Sequence, residues 1–185
     1  PFGNDTGDST FDRVGRMAAD WIVQGLRQTA VVDVVDSRTA FGDMSSDARP
    51  QSLAESAAVA ARRTGATMIV RGAIYRTNDS LSLHASIIRT VDARVLAELA
   101  PVTAPASDPR RLVEEAGQRV LGAFAALGDA HFGAWQNSVS APPLYDAYLE
   151  FVRGLEDFVS MSRGDSAFAH FTAAARMDTS FVQAK

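Results

Sequence analysis

Residues 1–22 read Pro1-Phe2-Gly3-Asn4-Asp5-Thr6-Gly7-Asp8-Ser9-Thr10-Phe11-Asp12-Arg13-Val14-Gly15-Arg16-Met17-Ala18-Ala19-Asp20-Trp21-Ile22. They spell the end of a strand, a tight polar loop and an amphipathic helix. Pro1-Phe2 reads as the last step of a strand whose body lies upstream. Asn4 to Asp8 is turn chemistry, because Asn, Asp and Gly tolerate left-handed or Asx-turn geometry. Asp8, Ser9 or Thr10 can cap a helix by accepting its free amide hydrogens. Phe11, Val14, Gly15, Ala18, Ile22 and Leu26 then recur at helical spacing, which predicts a helix over about residues 10–28 with one buried face.

Outward from this stretch, Ala30-Val31-Val32-Asp33-Val34-Val35 is a β-branched run and predicts a buried strand. A strand, a helix and a second strand form a βαβ unit, so the two strands are expected to run parallel with a right-handed crossover. Asp36 to Pro50 reads as a long loop. Ser52-x-x-Glu55 is a capping box, and Gly65 is placed to end the helix it opens as a left-handed cap. The buried face of that helix is small: Leu53, Ala57 and Ala60-Ala61.

Thr67 to Arg76, Leu81 to Arg89 and Val95 to Val102 predict an antiparallel meander. Thr77-Asn78-Asp79-Ser80 and Val91-Asp92-Ala93-Arg94 are its turns. In the second of these strands Leu81, Leu83, Ala85 and Ile87 share one face while Ser82, His84 and Ser86 take the other. That period of two implies a sheet with one face buried. Asp108-Pro109 starts a further helix, Asp as cap and Pro at the first helical position, with Leu112, Ala116, Val120, Ala123 and Leu127 as its stripe. The fold class is therefore α/β, a mixed sheet in the order β-α-β-α-β-β-β-α with helices packed on it, over residues 1–128.

Residues 129–143 read as a linker that His131, Phe132 and Trp135 could pin down. From Leu144 the pattern is helical again, through Tyr145, Tyr148, Leu149, Val152, Leu155, Phe158 and Val159. After an Arg163-Gly164-Asp165 turn, Ala167, Phe171, Ala174 and Asp178 recur at spacings of four, three and four. Residues 144–185 are thus expected to form an all-α hairpin, with Phe181 and Ala184 at the start of another helix.

Composition narrows the chemistry. The 185 residues are 46% hydrophobic and 22% charged, with a net charge of −4, ordinary for a globular chain and unlike the concentrated basic face of a nucleic-acid binder. With no cysteine, disulfides, thiolate zinc sites and cysteine nucleophiles are excluded. No segment approaches the roughly 20 apolar residues of a membrane helix. Asp5, Asp8 and Asp12 lack the spacing of a calcium loop, so turn and cap duty outweighs a metal site. The first loop lacks the Gly-Lys-Ser/Thr of a phosphate loop, and its carboxylates repel anions. His84, His131 and His170 share no metal-pair spacing, and no Gly-x-Ser-x-Gly elbow occurs. No catalytic, cofactor or metal residue is assigned. The candidate partner or ligand surface is Ser82, His84, Ser86 and Arg89 with Tyr145 and Tyr148, although aromatics at helical spacing more often serve as inter-helix core.

The opening residues resemble the start of the TolB amino-terminal-like domain, an LPF-x-N-x-TGD stretch leading into a helix of the LG-x-x-x-AD-x-I type. The matching residues are Pro1, Phe2, Asn4, Thr6, Gly7 and Asp8, then Val14-Gly15, Ala19-Asp20 and Ile22. Gly65-Ala66-x-x-Ile69-Val70-x-Gly72 and Val91-Asp92-Ala93-Arg94-Val95-Leu96 fit further stretches of that family. The tail pattern A-x3-F-x2-A-x3-D resembles the second helix of a tetratricopeptide repeat. This pairing resembles the extracytoplasmic, carboxy-terminal regions of bacterial membrane-anchored serine/threonine protein kinases. It implies a non-catalytic sensor that binds a protein, peptide or small ligand, with any kinase domain and membrane anchor upstream and no membrane contact of its own. A cytoplasmic location is the alternative. A periplasmic envelope-assembly protein of the TolB or outer-membrane-lipoprotein kind is a second function class, and a small-molecule enzyme a distant third.

Overall fold

The structure, a computed structural model, describes residues 2–35, 39–40, 42, 52–129, 142–159 and 164–184. It is a mixed α/β chain that divides into two compact units, Pro1–Gly117 and Gln118–Lys185. The division falls inside the helix Pro109–Gly128 rather than in the expected linker. Most of that linker, with His131, Phe132 and Trp135, lies outside the described residues, as does most of the 36–50 loop.

In the first unit, strand β1 is Phe2–Asn4. Asp8 then accepts from the Thr10 amide at 2.9 Å and caps a short 3-10 turn, Ser9–Phe11, that leads into helix α1, Asp12–Thr29. Val14, Gly15, Ala18, Ile22 and Leu26 are its buried face, as the spacing predicts, whereas Phe11 of the expected stripe lies in the 3-10 turn and is half-buried. Burial of Ile22 and Leu26 contributes about 1.5–3 kcal/mol each.

The expected strand over residues 30–35 is absent. Ala30 ends α1 in left-handed backbone (φ 51°), and residues 31–35 carry no ladder, with Val35 46% exposed. β-branched composition suits extended backbone but supplies no hydrogen-bond partner. The parallel partner of β1 is instead β2, Met68–Thr77, in the register Phe2↔Gly72 to Asn4↔Ile74. Between them lies helix α2, Leu53–Thr64, with both bonds of its capping box formed and Gly65 (φ 69°) closing it. Ala57 and Ala60 are buried, whereas Leu53 of the expected buried face is 39% exposed and Ala61 is half-buried.

Strand β3, Ser80–Arg89, pairs with β2 along its whole length, from Met68↔Arg89 to Thr77↔Ser80, around an Asn78-Asp79 turn with Asn78 left-handed. The expected third meander strand is broken in two: β4, Val95–Glu98, and β5, Val102–Pro105, both on the far edge of β3. From Ser86 to Leu83 β3 spans three steps, while the facing chain takes four from Glu98 to Val102. Pro101, which has no amide hydrogen, sits in that irregularity. The sheet order is β1-β2-β3-β4, with β5 also on β3.

Helix α3, Pro109–Gly128, begins where the Asp108 carboxylate accepts from the Arg111 amide. Of its predicted stripe, Leu112, Ala116, Val120 and Ala123 are buried and Leu127 is half-buried. In the second unit, α4, Tyr145–Val159, packs against α5, Gly164–Met177. Gly164 and Asp165, expected in a turn, open α5; Arg163 lies outside the described residues. Phe171 packs on Phe151 (ring centroids 5.5 Å apart), over Gly154. Where the start of another helix is expected, the described residues form a 3-10 turn, Val182–Ala184, and Phe181 and Ala184 belong to the cluster of Ala147, Phe151 and Ala174. No described helix is long and apolar enough to cross a membrane.

Candidate binding groove

Strand alternation builds the candidate site. On β2 and β3, Ile74, Leu81, Leu83, Ala85 and Ile87 share the core face and are buried. The register puts Arg71 opposite Ser86, Ala73 opposite His84 and Tyr75 opposite Ser82, so these six occupy the other face. Tyr75 and His84 meet edge to face with ring centroids 5.1 Å apart, and Ser82 Oγ lies 3.1 Å from His84 Nε2. Both rings are exposed.

A groove of about 640 Å³ opens here. Its lining includes Arg71, Ala73, Tyr75, His84 and Ser86, with Phe2, Gly3 and Asp5 from the β1 side. Glu98, Leu99 and Pro101 come from the broken edge, and Leu53 and Ser56 from the first turn of α2. The half-exposed Leu53 is therefore a groove wall. Ser56 turns its hydroxyl back to the Ser52 carbonyl (2.9 Å). Gly72 lets the strands close beneath it: a Cβ there would overlap the His84 carbonyl oxygen and sit 2.8 Å from the Phe2 ring.

The expected surface residues are distributed unevenly. His84 and Ser86 line the groove, and Ser82 shares their face. Arg89 has the opposite strand parity and is bound through two nitrogens to Asp92 (3.0 and 2.6 Å), which holds that carboxyl down at about 2. Tyr145 and Tyr148 belong to the second unit. Tyr148 is 8% exposed, packs with Ala125 and Ala126, and donates to Asp129 at 2.8 Å. Burial first, then the Asp129 charge, pushes its phenol upward. It is a packing residue there, and Tyr145 flanks it half-buried. Arg71, Tyr75, Glu98 and Asp5 were missed; the period of two on β2 marks the first two, but only the paired register shows that they join His84.

The first loop is held by its own side chains. Asn4 donates to Asp12 (2.6 Å) and to the Asp8 carbonyl (2.9 Å), and it accepts from the Thr6 hydroxyl (2.7 Å). Asp8 is drawn below the usual carboxylate value by Thr10 and, more weakly, by Arg76. Among the described residues no group of three or more His, Asp or Glu side chains is placed to hold a metal.

The second unit carries two polar clusters that sequence spacing does not reveal. Asp178, 3% exposed, accepts from Arg119 (2.7 Å), the Leu144 amide (2.9 Å), the Ser180 amide (2.9 Å) and the Ser180 hydroxyl (2.5 Å). Burial alone would raise its pKa, but the Ser180 and Leu144 hydrogen bonds and Arg119 together bring it below the usual value. Across the helix pair, His170 Nδ1 lies 2.7 Å from Glu150, and Ser166 donates to Asp157 at 2.5 Å. The serine is bonded to a carboxylate and not to the imidazole, which is not the order of a nucleophile and its base.

Set against models of known families, against curated proteins and against solved structures, the chain matches none of them.

Proposed function

We propose that the chain is a non-catalytic sensing and interaction region of a bacterial signalling protein of the serine/threonine kinase type. In this reading residues 1–128 are a TolB-like α/β domain and residues 144–185 a tetratricopeptide-type hairpin. They act outside the cytoplasm and pass the bound state to an effector elsewhere in the polypeptide. The observation that carries it is the groove on the first unit. A sheet face with exposed Tyr75 and His84 beside apolar Leu53, Leu99 and Pro101 has the size and mixed lining of a ligand site. The hairpin reading is supported by the packing of its pattern residues: Ala167 and Ala174 are buried and Phe171 seats on Gly154.

Protein-observed NMR of the labelled, purified region against a library of small metabolites and tripeptides tests this. Binders are expected that shift the Tyr75 and His84 resonances and are lost on Tyr75→Ala. A turnover activity of the purified region that disappears on His84→Ala would overturn the non-catalytic reading.

A further inference from the structure

We infer that the groove selects an extended peptide segment carrying two basic residues about six positions apart. This rests on the groove being the binding site. The lining contains three side chains of fixed formal charge, Arg71, Asp5 and Glu98. Arg71 already has an interaction of its own. Asp5 and Glu98 are exposed, and among the described residues neither carboxylate has a hydrogen-bond or ion-pair partner. The unanswered charge of the groove is therefore negative, in a chain of net charge −4, and the complement is an ammonium or guanidinium group.

Spacing decides between a peptide and a small amine. The Asp5 amide bonds to the Ile74 carbonyl, so Asp5 stands level with Tyr75 on the β1 side. Glu98 pairs with Ser86, which faces Arg71. The two carboxylates lie three strand spacings apart across the sheet and four residues apart along it. At about 4.8 Å per strand and 3.3 Å per residue, their backbones are separated by about 19 Å. Six steps of extended chain cover that distance and, being an even number, leave both basic side chains on the same face, whereas a short diamine reaches one carboxylate only. Between the two ends lie the exposed rings of Tyr75 and His84, which suit apolar intervening side chains.

The test is fluorescence anisotropy of the intact chain with the labelled heptapeptide Lys-Ala-Val-Ala-Val-Ala-Lys, its Glu-flanked counterpart, and 1,5-diaminopentane as competitor. The Lys-flanked peptide is expected to bind at least tenfold tighter than the Glu-flanked one. Asp5→Asn and Glu98→Gln, both at exposed positions, each weaken it threefold or more, and together they abolish the preference. Equal binding of the two peptides, or a preference unmoved by the double variant, overturns the proposal. The diamine competing at equal concentration also overturns it, in favour of a small-amine site. If neutral ligands shift Tyr75 and His84 while the charged peptides do not differ, the charge inference alone fails. If nothing engages the groove, the function proposed above fails with it.

Discussion

Replacing Asp178 by alanine removes the acceptor for four donors at once and leaves the Arg119 guanidinium without its carboxylate. Both side chains are largely buried, at 2% and 11% exposure. Breaking a buried ion pair by deleting one partner costs about 3–5 kcal/mol, because the remaining charge is stranded. The orphaned Leu144 and Ser180 amides would add about 1–3 kcal/mol each if they stayed dry, but the space vacated admits water, so about 3–5 kcal/mol is the expected total. Against the 5–15 kcal/mol of an ordinary domain that is a large fraction. Among the described residues Arg119 Nε has no hydrogen-bond partner, and the remaining contacts of Nη1, to the Pro142 carbonyl and the Ser180 hydroxyl, are long at 3.4 Å. Asp178→Asn keeps one acceptor oxygen and is expected to cost about 1.5–3 kcal/mol. Urea unfolding followed by circular dichroism gives these differences from the transition midpoints at constant slope. A second variant separates charge from packing: adding Arg119→Met to Asp178→Ala removes the stranded cation and is expected to recover part of the loss. If Asp178→Ala unfolds within 1 kcal/mol of the parent, or Arg119→Met only adds to its cost, the reasoning is wrong.

Gly72→Ala drives a methyl into the His84 carbonyl and the Phe2 ring; a loss of about 1–3 kcal/mol or more is expected in the same unfolding measurement. Ser52→Ala removes one bond of the capping box and is expected to cost about 1 kcal/mol, read as a lower melting temperature. Among the described residues of the second unit, the Glu150 and Asp178 carboxyls are depressed. Glu150 is held down by the His170 hydrogen bond and then by Arg153, and Asp178 by its donors. A depressed carboxyl contributes stability that is complete above its unfolded value and disappears as pH falls through its folded value. The second unit is therefore expected to weaken as pH drops below about 4. Asp178→Asn is expected to flatten that dependence in thermal melts between pH 7 and pH 2.

Whatever depends on a few adjacent residues was open to reading in the sequence. The Asp8 cap, the capping box of Ser52 and Glu55, Gly65, the Asn78-Asp79 turn and the α1 stripe each rest on local geometry, and each is found. The run at 30–35 misled because valines favour extended backbone whether or not a neighbouring strand offers hydrogen bonds. His84 and Ser86 were visible as one strand face. Their partners Arg71, Tyr75 and Glu98 join them only through the register of β2 and β4, which no single segment encodes. Asp178 falls on the stripe of Ala167, Phe171 and Ala174, but Arg119 stands 59 positions away, and nothing local pairs the two. Tyr148 carries the periodicity of a core residue and of a groove residue alike; only its contact with Ala125 and Ala126 distinguishes them.

The interrupted far edge of the sheet has a consequence for solubility. An uninterrupted strand along β3 would present a long row of free amides and carbonyls onto which a second molecule could zip. Here that border is split into two strands of four residues, its register slips, and a proline stands at the split. Among the described residues this border therefore offers no straight template for intermolecular sheet growth. Removing the extra residue between Glu98 and Val102 would straighten the border and is expected to raise the chain's tendency to aggregate, read by light scattering.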